Sequence, residues 1–180
     1  MRKLYLVLGI AILLISCAKD LDFSQTEEFQ LTPVFDVSLL FFEETPDRFI
    51  PDDMEIIGNF ISDTTDLVIS EDSFVIESLM RAELEFEFTN TIPRNFRAEV
   101  VFLNADQEPV RVIDLDVPQN NEGEVTTHIE DFPEEDIADI TATVQLVVNF
   151  FLLPGGDPVT RDTEGILKLR SKGTFYLLIE

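Results

Sequence analysis

From residue 81 to residue 88 the chain alternates without a slip: Ala82, Leu84, Phe86 and Phe88 hold the even positions and Glu83, Glu85 and Glu87 odd ones. Successive side chains of an extended strand point to opposite faces, so this stretch buries one face and wets the other. A helix would scatter the same residues around its surface, and the pattern therefore predicts a half-buried β-strand. Residues 96–103 repeat it, with Phe96, Ala98, Val100 and Phe102 in one row and Arg97 and Glu99 in the other. Turn-forming residues fill 90–95 between the two strands, and the run Asn104-Ala105-Asp106-Gln107-Glu108-Pro109 follows the second.

The same test predicts strands at 34–42, 66–70, 110–117, 125–129, 141–153 and 166–179. In 141–153 one row is Ala142, Val144, Leu146, Val148, Phe150 and Leu152, against Thr141, Thr143, Gln145 and Asn149. Just before it, Pro133-Glu134-Glu135-Asp136 reads as one helical turn, proline first and acids near the positive end of the dipole. No long helical period and no internal repeat is present. Short strands at a spacing of about ten residues predict an all-β fold over 33–180, a single antiparallel β-sandwich of immunoglobulin or fibronectin type III style.

Charge adds an expectation about pairing. Lys168, Arg170 and Lys172 form a basic row on the last strand, with the spacing of Glu83, Glu85 and Glu87. Opposite charges facing across a strand pair contribute roughly 0.2–1 kcal/mol each, which predicts that the two strands are neighbours. The alternative is that each row is separately solvated.

Ahead of this body stand Met1-Arg2-Lys3, an apolar run over 4–15, and Leu14-Ile15-Ser16-Cys17. Twelve apolar positions span only about 18 Å as a helix, short of the roughly 30 Å hydrocarbon core, and suit an export signal better than a spanning anchor. Leu14, Ile15, Ser16 and Cys17 resemble the bacterial lipobox, an aliphatic residue, a small or aliphatic one, a small one and a cysteine. The resemblance implies a signal peptide over 1–16, cleavage before Cys17 and a diacylglyceryl group on its sulfur. It makes the lipid bilayer a partner through acylated Cys17, with an acidic tether over 17–32. Cys17-Ala18-Lys19-Asp20-Leu21-Asp22 either simply begins that tether or is similar to the signal that sends Bacteroidota-type lipoproteins to the outer face of the outer membrane. With the closing Ser171-Lys172-Gly173-Thr174-Phe175-Tyr176, the chain resembles small lipoproteins of Bacteroidota-type bacteria, a family that implies an outer-membrane location, periplasmic or extracellular, and no activity.

The formal charge is −24. Without residues 1–16, which carry Arg2, Lys3 and no acid, ten basic residues stand against 36 acidic ones, a net −26. Such a surface repels nucleic acid and anionic lipid, and leaves a basic protein partner open. Cys17 is the only cysteine, so no disulfide within the chain can support the fold. Sixteen Phe supply the core instead.

Residues for chemistry are sparse. His128 is the only histidine, flanked by Thr127 and Ile129 in a strand, a setting for a satisfied side chain more than for a general base. Gly-x-Ser-x-Gly, His-Glu-x-x-His and Walker-type loops are lacking. Pairs such as Glu43/Glu44 and Glu134/Glu135 are expected by chance among 36 acids. No catalytic residue, metal ligand or cofactor is therefore expected. Oxygen-rich loops at Asn104, Asp106 and Glu108 and at Asn120, Asn121, Glu122 and Glu124 lack the order of an EF-hand and read as turns before calcium sites. Trp is absent and Tyr176 is the only tyrosine after Cys17, a poor supply of sugar platforms. The doublets Phe41-Phe42 and Phe150-Phe151 predict strands buried on both sides, or else an apolar patch for a protein partner. The expectation is a non-enzymatic envelope module that engages another protein through a sheet edge or loops. The alternative is a calcium-assisted adhesion or glycan-binding module.

Overall fold

The computed structural model describes residues 30–50, 60–67 and 72–179, and every element below belongs to one body, Thr32–Ile179. Eight strands run in the order β1 (Val34–Glu44), β2 (Phe60–Asp66), β3 (Leu79–Asn90), β4 (Phe96–Leu103), β5 (Pro109–Val117), β6 (Val125–Phe132), β7 (Gln145–Leu152) and β8 (Leu167–Leu177). Helix α1 (Ser73–Ser78) precedes β3 and helix α2 (Ile137–Ala142) precedes β7. Short 3-10 turns lie at Pro46–Phe49 and Glu134–Asp136.

The strands form two antiparallel four-stranded sheets, β1-β8-β3-β6 and β2-β7-β4-β5. The expected all-β sandwich is present, and its wiring is a correction to the immunoglobulin or fibronectin style. In the constant-type immunoglobulin fold, with sheets ABED and CFG, the A–B, D–E and F–G connections stay within a sheet. Here, among the described residues, β4–β5 is the one hairpin, and each other connection crosses to the opposite sheet. First pairs with eighth, second with seventh, third with sixth and fourth with fifth, which is a jelly roll, a long antiparallel ribbon rolled on itself. The turn over 90–95 shows how a crossing is held. The buried Asn90 donates from Nδ2 to the carbonyls of Arg94 (2.8 Å) and Val117 (3.3 Å) and accepts the Ile92 N–H (3.1 Å). Gly165, with φ +131°, lies against that turn, where a Cβ would stand 2.8 Å from the Ile92 backbone.

Between the sheets lies the core that the phenylalanines were expected to supply. Phe42 stacks on Phe150 at 4.6 Å, Phe88 meets Phe150 edge-on at 6.1 Å, and Phe102 packs on Phe132 at 5.5 Å. Phe88, Phe102 and Phe150 come from the predicted inward rows of their strands, whereas Phe132 lies beyond the strand expected at 125–129 and Phe42 owes its place to a change of phase. A bulge between Ser38 and Phe41 adds a residue to β1, so the inward row passes from Phe35, Val37 and Leu39 to Leu40 and Phe42. The buried Ser171 hydroxyl accepts the Leu40 N–H at 2.9 Å and so satisfies the bulge.

The charge expectation holds: β3 and β8 are neighbours, with Glu85 opposite Lys172 and Glu87 opposite Arg170. Lys172 Nζ stands 3.5 Å from Glu85. Lys168 instead reaches Glu43 on β1 at 2.6 Å.

Two predicted strands need correction. The strand expected at 66–70 is β2, Phe60–Asp66, and residues 68–70 lie outside the described part. The strand expected at 141–153 begins at Gln145, because 137–142 is helical. There the Thr141 hydroxyl donates to the Ile137 carbonyl (3.2 Å) and Thr143 to that of Asp139, which ties both threonines back along the helix, while Ile140 is fully buried.

Candidate functional site

A sandwich has two open sides, where an edge strand of one sheet faces an edge strand of the other. Here these are the β1/β2 seam and the β5/β6 seam.

The β5/β6 seam is cross-linked. Arg111 on β5 reaches Glu130 on β6 (2.6 Å) and Asp136 (3.3 Å) and Asp139 (3.2 Å) beyond it, with its guanidinium 4.7 Å from the centre of the Phe132 ring. Hydrogen bonding to Glu130 foremost raises the Arg111 pKa above its ordinary value. His128 donates from Nε2 to the Asp116 carbonyl on β5 at 2.9 Å and sits edge-on to Phe88. Its ring is thus a satisfied structural group, as its strand context suggested.

The β1/β2 seam is built otherwise. The inward row of β2 is Ile61, Asp63 and Thr65, opposite Phe150, Val148 and Leu146 of β7. Facing it on β1 are the half-buried Phe35, Val37 and Leu39. Among the described residues one hydrogen bond joins the two, from the Thr65 hydroxyl to the Leu39 carbonyl at a long 3.5 Å. A cleft of about 500 Å³ opens there, walled by Phe35, Val37, Leu39, Leu67 and Val75, with Asp66 and Asp72 among its lining residues. Asp72 also caps α1, accepting the Phe74 N–H at 2.9 Å. Towards the far end of β1 a second recess of about 370 Å³ is bounded by Phe41, Glu43, Glu44, Ile61 and Asp63, with Arg48. Arg48 is held by Glu44 at 3.3 Å. The Asp63 carboxylate accepts the N–H of its own neighbour Thr64 at 2.9 Å.

Of the residues singled out in sequence, Leu14, Ile15, Ser16 and Cys17 lie outside the described part. The phenylalanine doublets are not buried on both sides. Phe41 is 62% exposed beneath the Lys168 ammonium (5.4 Å), and Phe151 faces outward between Phe60 (5.4 Å) and Arg97 (4.6 Å). Both oxygen-rich loops are turns: the Asn104 carboxamide accepts the N–H groups of Asp106 (3.0 Å) and Glu108 (2.9 Å), and Asn120 accepts that of Glu122 (2.9 Å). Tyr176 donates to Glu83 at 3.0 Å, which raises its pKa, with Arg81 over its ring. Ile61, Asp63 and Thr65 escaped the sequence reading because an inward row with one apolar residue has no period-two signal. No helix among the described residues is long and apolar enough to cross a membrane.

No protein-family model and no curated protein matches this chain. Among solved structures, a candidate secreted protein from Parabacteroides distasonis aligns with a TM-score of 0.51 at 14% identity, over 66% of this chain and 38% of that one. The VP2 subviral particle of infectious bursal disease virus aligns at 0.48 and 10% identity, over 82% of this chain and 36% of that one. This chain therefore spans well under half of either. The first likeness is one of fold alone.

Proposed function

We propose that this chain is a lipid-anchored envelope or surface protein without enzymatic activity, which is held by acylated Cys17 and engages a protein partner along the β1/β2 seam. The observation that carries the reading is the contrast between the seams among the described residues: one is tied by Arg111 and His128, and the other is an apolar cleft with a single long hydrogen bond across it. Edge strands beside an apolar cleft are where extended segments of other proteins add. Support for a non-enzymatic role comes from the engaged His128 and from Glu43 and Glu44, which are drawn to different cations, Lys168 and Arg48. Support for the anchor comes from the Leu14-Ile15-Ser16-Cys17 run, and a sandwich shared with a candidate secreted protein of Parabacteroides is in keeping with an exterior location.

Two measurements test the parts separately. Mass spectrometry of the processed chain is expected to find Cys17 first and diacylated, and C17A to leave the membrane fraction; an unmodified thiol ends the anchor. A photocrosslinker placed at Thr65 in intact cells is expected to give a discrete adduct that the same group at Val112, by the other seam, does not. Equal labelling from both positions ends the assignment of the site.

A further inference from the structure

We propose that two copies of this chain, anchored in one leaflet, pair through the outer face of the β1-β8-β3-β6 sheet, about a two-fold axis that runs along the strands between β8 and β3. The inference rests on the anchor at Cys17 and not on the β1/β2 seam. The strand register sets the outward residues of this face in level rows, one of which runs Phe41, Arg170, Glu87, Thr127. Such an axis keeps each level and reverses the strand order, so β8 of one copy lies over β3 of the other, and β1 over β6. An axis across the strands would instead lay β8 on β8, basic row on basic row, and send the two tethers to opposite ends. The axis along the strands leaves Val34, where β1 begins, at the same end in both copies, so both tethers reach one leaflet.

Charge and apolar surface both match under this operation. Arg170 and Glu87 are register partners on β8 and β3, yet neither makes an ion pair among the described residues. The axis sets Arg170 of each copy over Glu87 of the other, which gives both a partner. The remaining charges of these two strands are matched within one copy, Lys168 by Glu43 at 2.6 Å, Lys172 by Glu85 at 3.5 Å and Glu83 by Arg81, so the contact strands none of them. Asp36 accepts the Thr174 hydroxyl at 2.7 Å, and Asp131, which the axis brings towards it, is held by Arg81 at 2.8 Å. At the borders of the face, Phe41, 62% exposed on β1, falls over Thr127 of the other copy, between Val125 (54%) and Ile129 (61%). Apolar groups exposed on the two edge strands thus cover each other. A net −26 without residues 1–16 keeps copies apart in free solution, and confinement to one membrane supplies the effective concentration that offsets it.

The test uses the whole chain in native membranes with one cysteine added near the axis, T89C, and a bismaleimide that spans about 10 Å, the spacing of stacked sheets. T89C is expected to give a dimer adduct, and S62C, on the outer face of the other sheet, to give none. R170E or E87R, each combined with T89C, is expected to cut the yield at least about fivefold, and the two reversals together to restore it. Melting curves of the extracted chains verify folding. A yield that neither reversal changes reports collision in the membrane and overturns the inference, as does no adduct from T89C or an equal one from S62C. An adduct that joins T89C only to a chain of another mass gives the face to a different protein and overturns it as well. An adduct from the chain without T89C reports a free Cys17 thiol and overturns the inference through the anchor, whereas the other failures overturn it through the face.

Discussion

Both open sides of this sandwich are made from an edge strand of each sheet, yet they are finished differently. At β5/β6 a long cation lies across the gap, and three carboxylates and an aromatic ring hold it there. At β1/β2 the inward row of the edge strand is Ile61, Asp63 and Thr65, and among the described residues one hydroxyl spans the gap. An edge row with reach closes a seam, and an edge row without it leaves a groove. Asp63 also guards its strand, since an inward charge on an edge discourages unselective pairing with other chains.

The contrast can be broken at its strong end first. Phe132 is fully buried beneath Arg111, and F132A should cost about 3–5 kcal/mol in urea unfolding, because it removes a core ring and the floor of the closed seam together. A loss no larger than that of a half-buried residue would mean the β5/β6 side carries no more of the fold than the other. R111A should come next, at about 1–2 kcal/mol, the figure held down by a side chain that is 25% exposed and partly screened. Because the Arg111 pKa is raised, its contribution is present at every pH below the ordinary arginine value and fades only as pH climbs through the folded-state value. Stability of the wild type minus R111A should thus show no step from the arginine's own titration between neutral and mildly alkaline pH.

At the other seam the effects on stability shrink and the effects on association grow. D63V exchanges an inward carboxylate, bonded to the N–H of its neighbour Thr64, for an apolar side chain, and should change stability by less than about 1 kcal/mol in either direction. It should also make the chain self-associate as concentration rises, visible in sedimentation velocity; a monomer at all concentrations would show that Asp63 does not guard the edge. Smallest of all, K172A on the charged outer face should cost about 0.2–1 kcal/mol, as exposed cross-strand pairs do. A larger loss would make the outer charge ladder, and not the seams, the place where the two sheets differ most.

Strand placement was readable wherever a strand lies inside a sheet. β3, β4, β7 and β8 have neighbours on both sides and a core behind them, so their inward positions are mostly apolar or small and the period shows. Even Gly173 fits, as the ring of Phe175 folds over it where a Cβ would stand 2.5 Å away. At the margins the signal failed for local reasons: β2 carries Asp63 and Thr65 inward, β1 shifts phase at its bulge, and the threonines ahead of β7 turn back into α2. Of the site, the apolar wall on β1 lay within a predicted strand, while the polar wall on β2 had no signature.

What the sequence determined by itself is the half-buried extended character of most of the chain, its antiparallel all-β class and a lipobox-like start, while the adjacency of the glutamate and lysine-arginine strands was one of two readings it offered. These follow from local period and charge, which act between near neighbours or across one strand pair. Tertiary structure alone decided that the ribbon rolls first strand to eighth and so forth, and hence which edges face each other. That choice depends on contacts between residues more than a hundred positions apart, such as Leu40 with Ser171, and no local pattern encodes which of two like-patterned strands a third will meet.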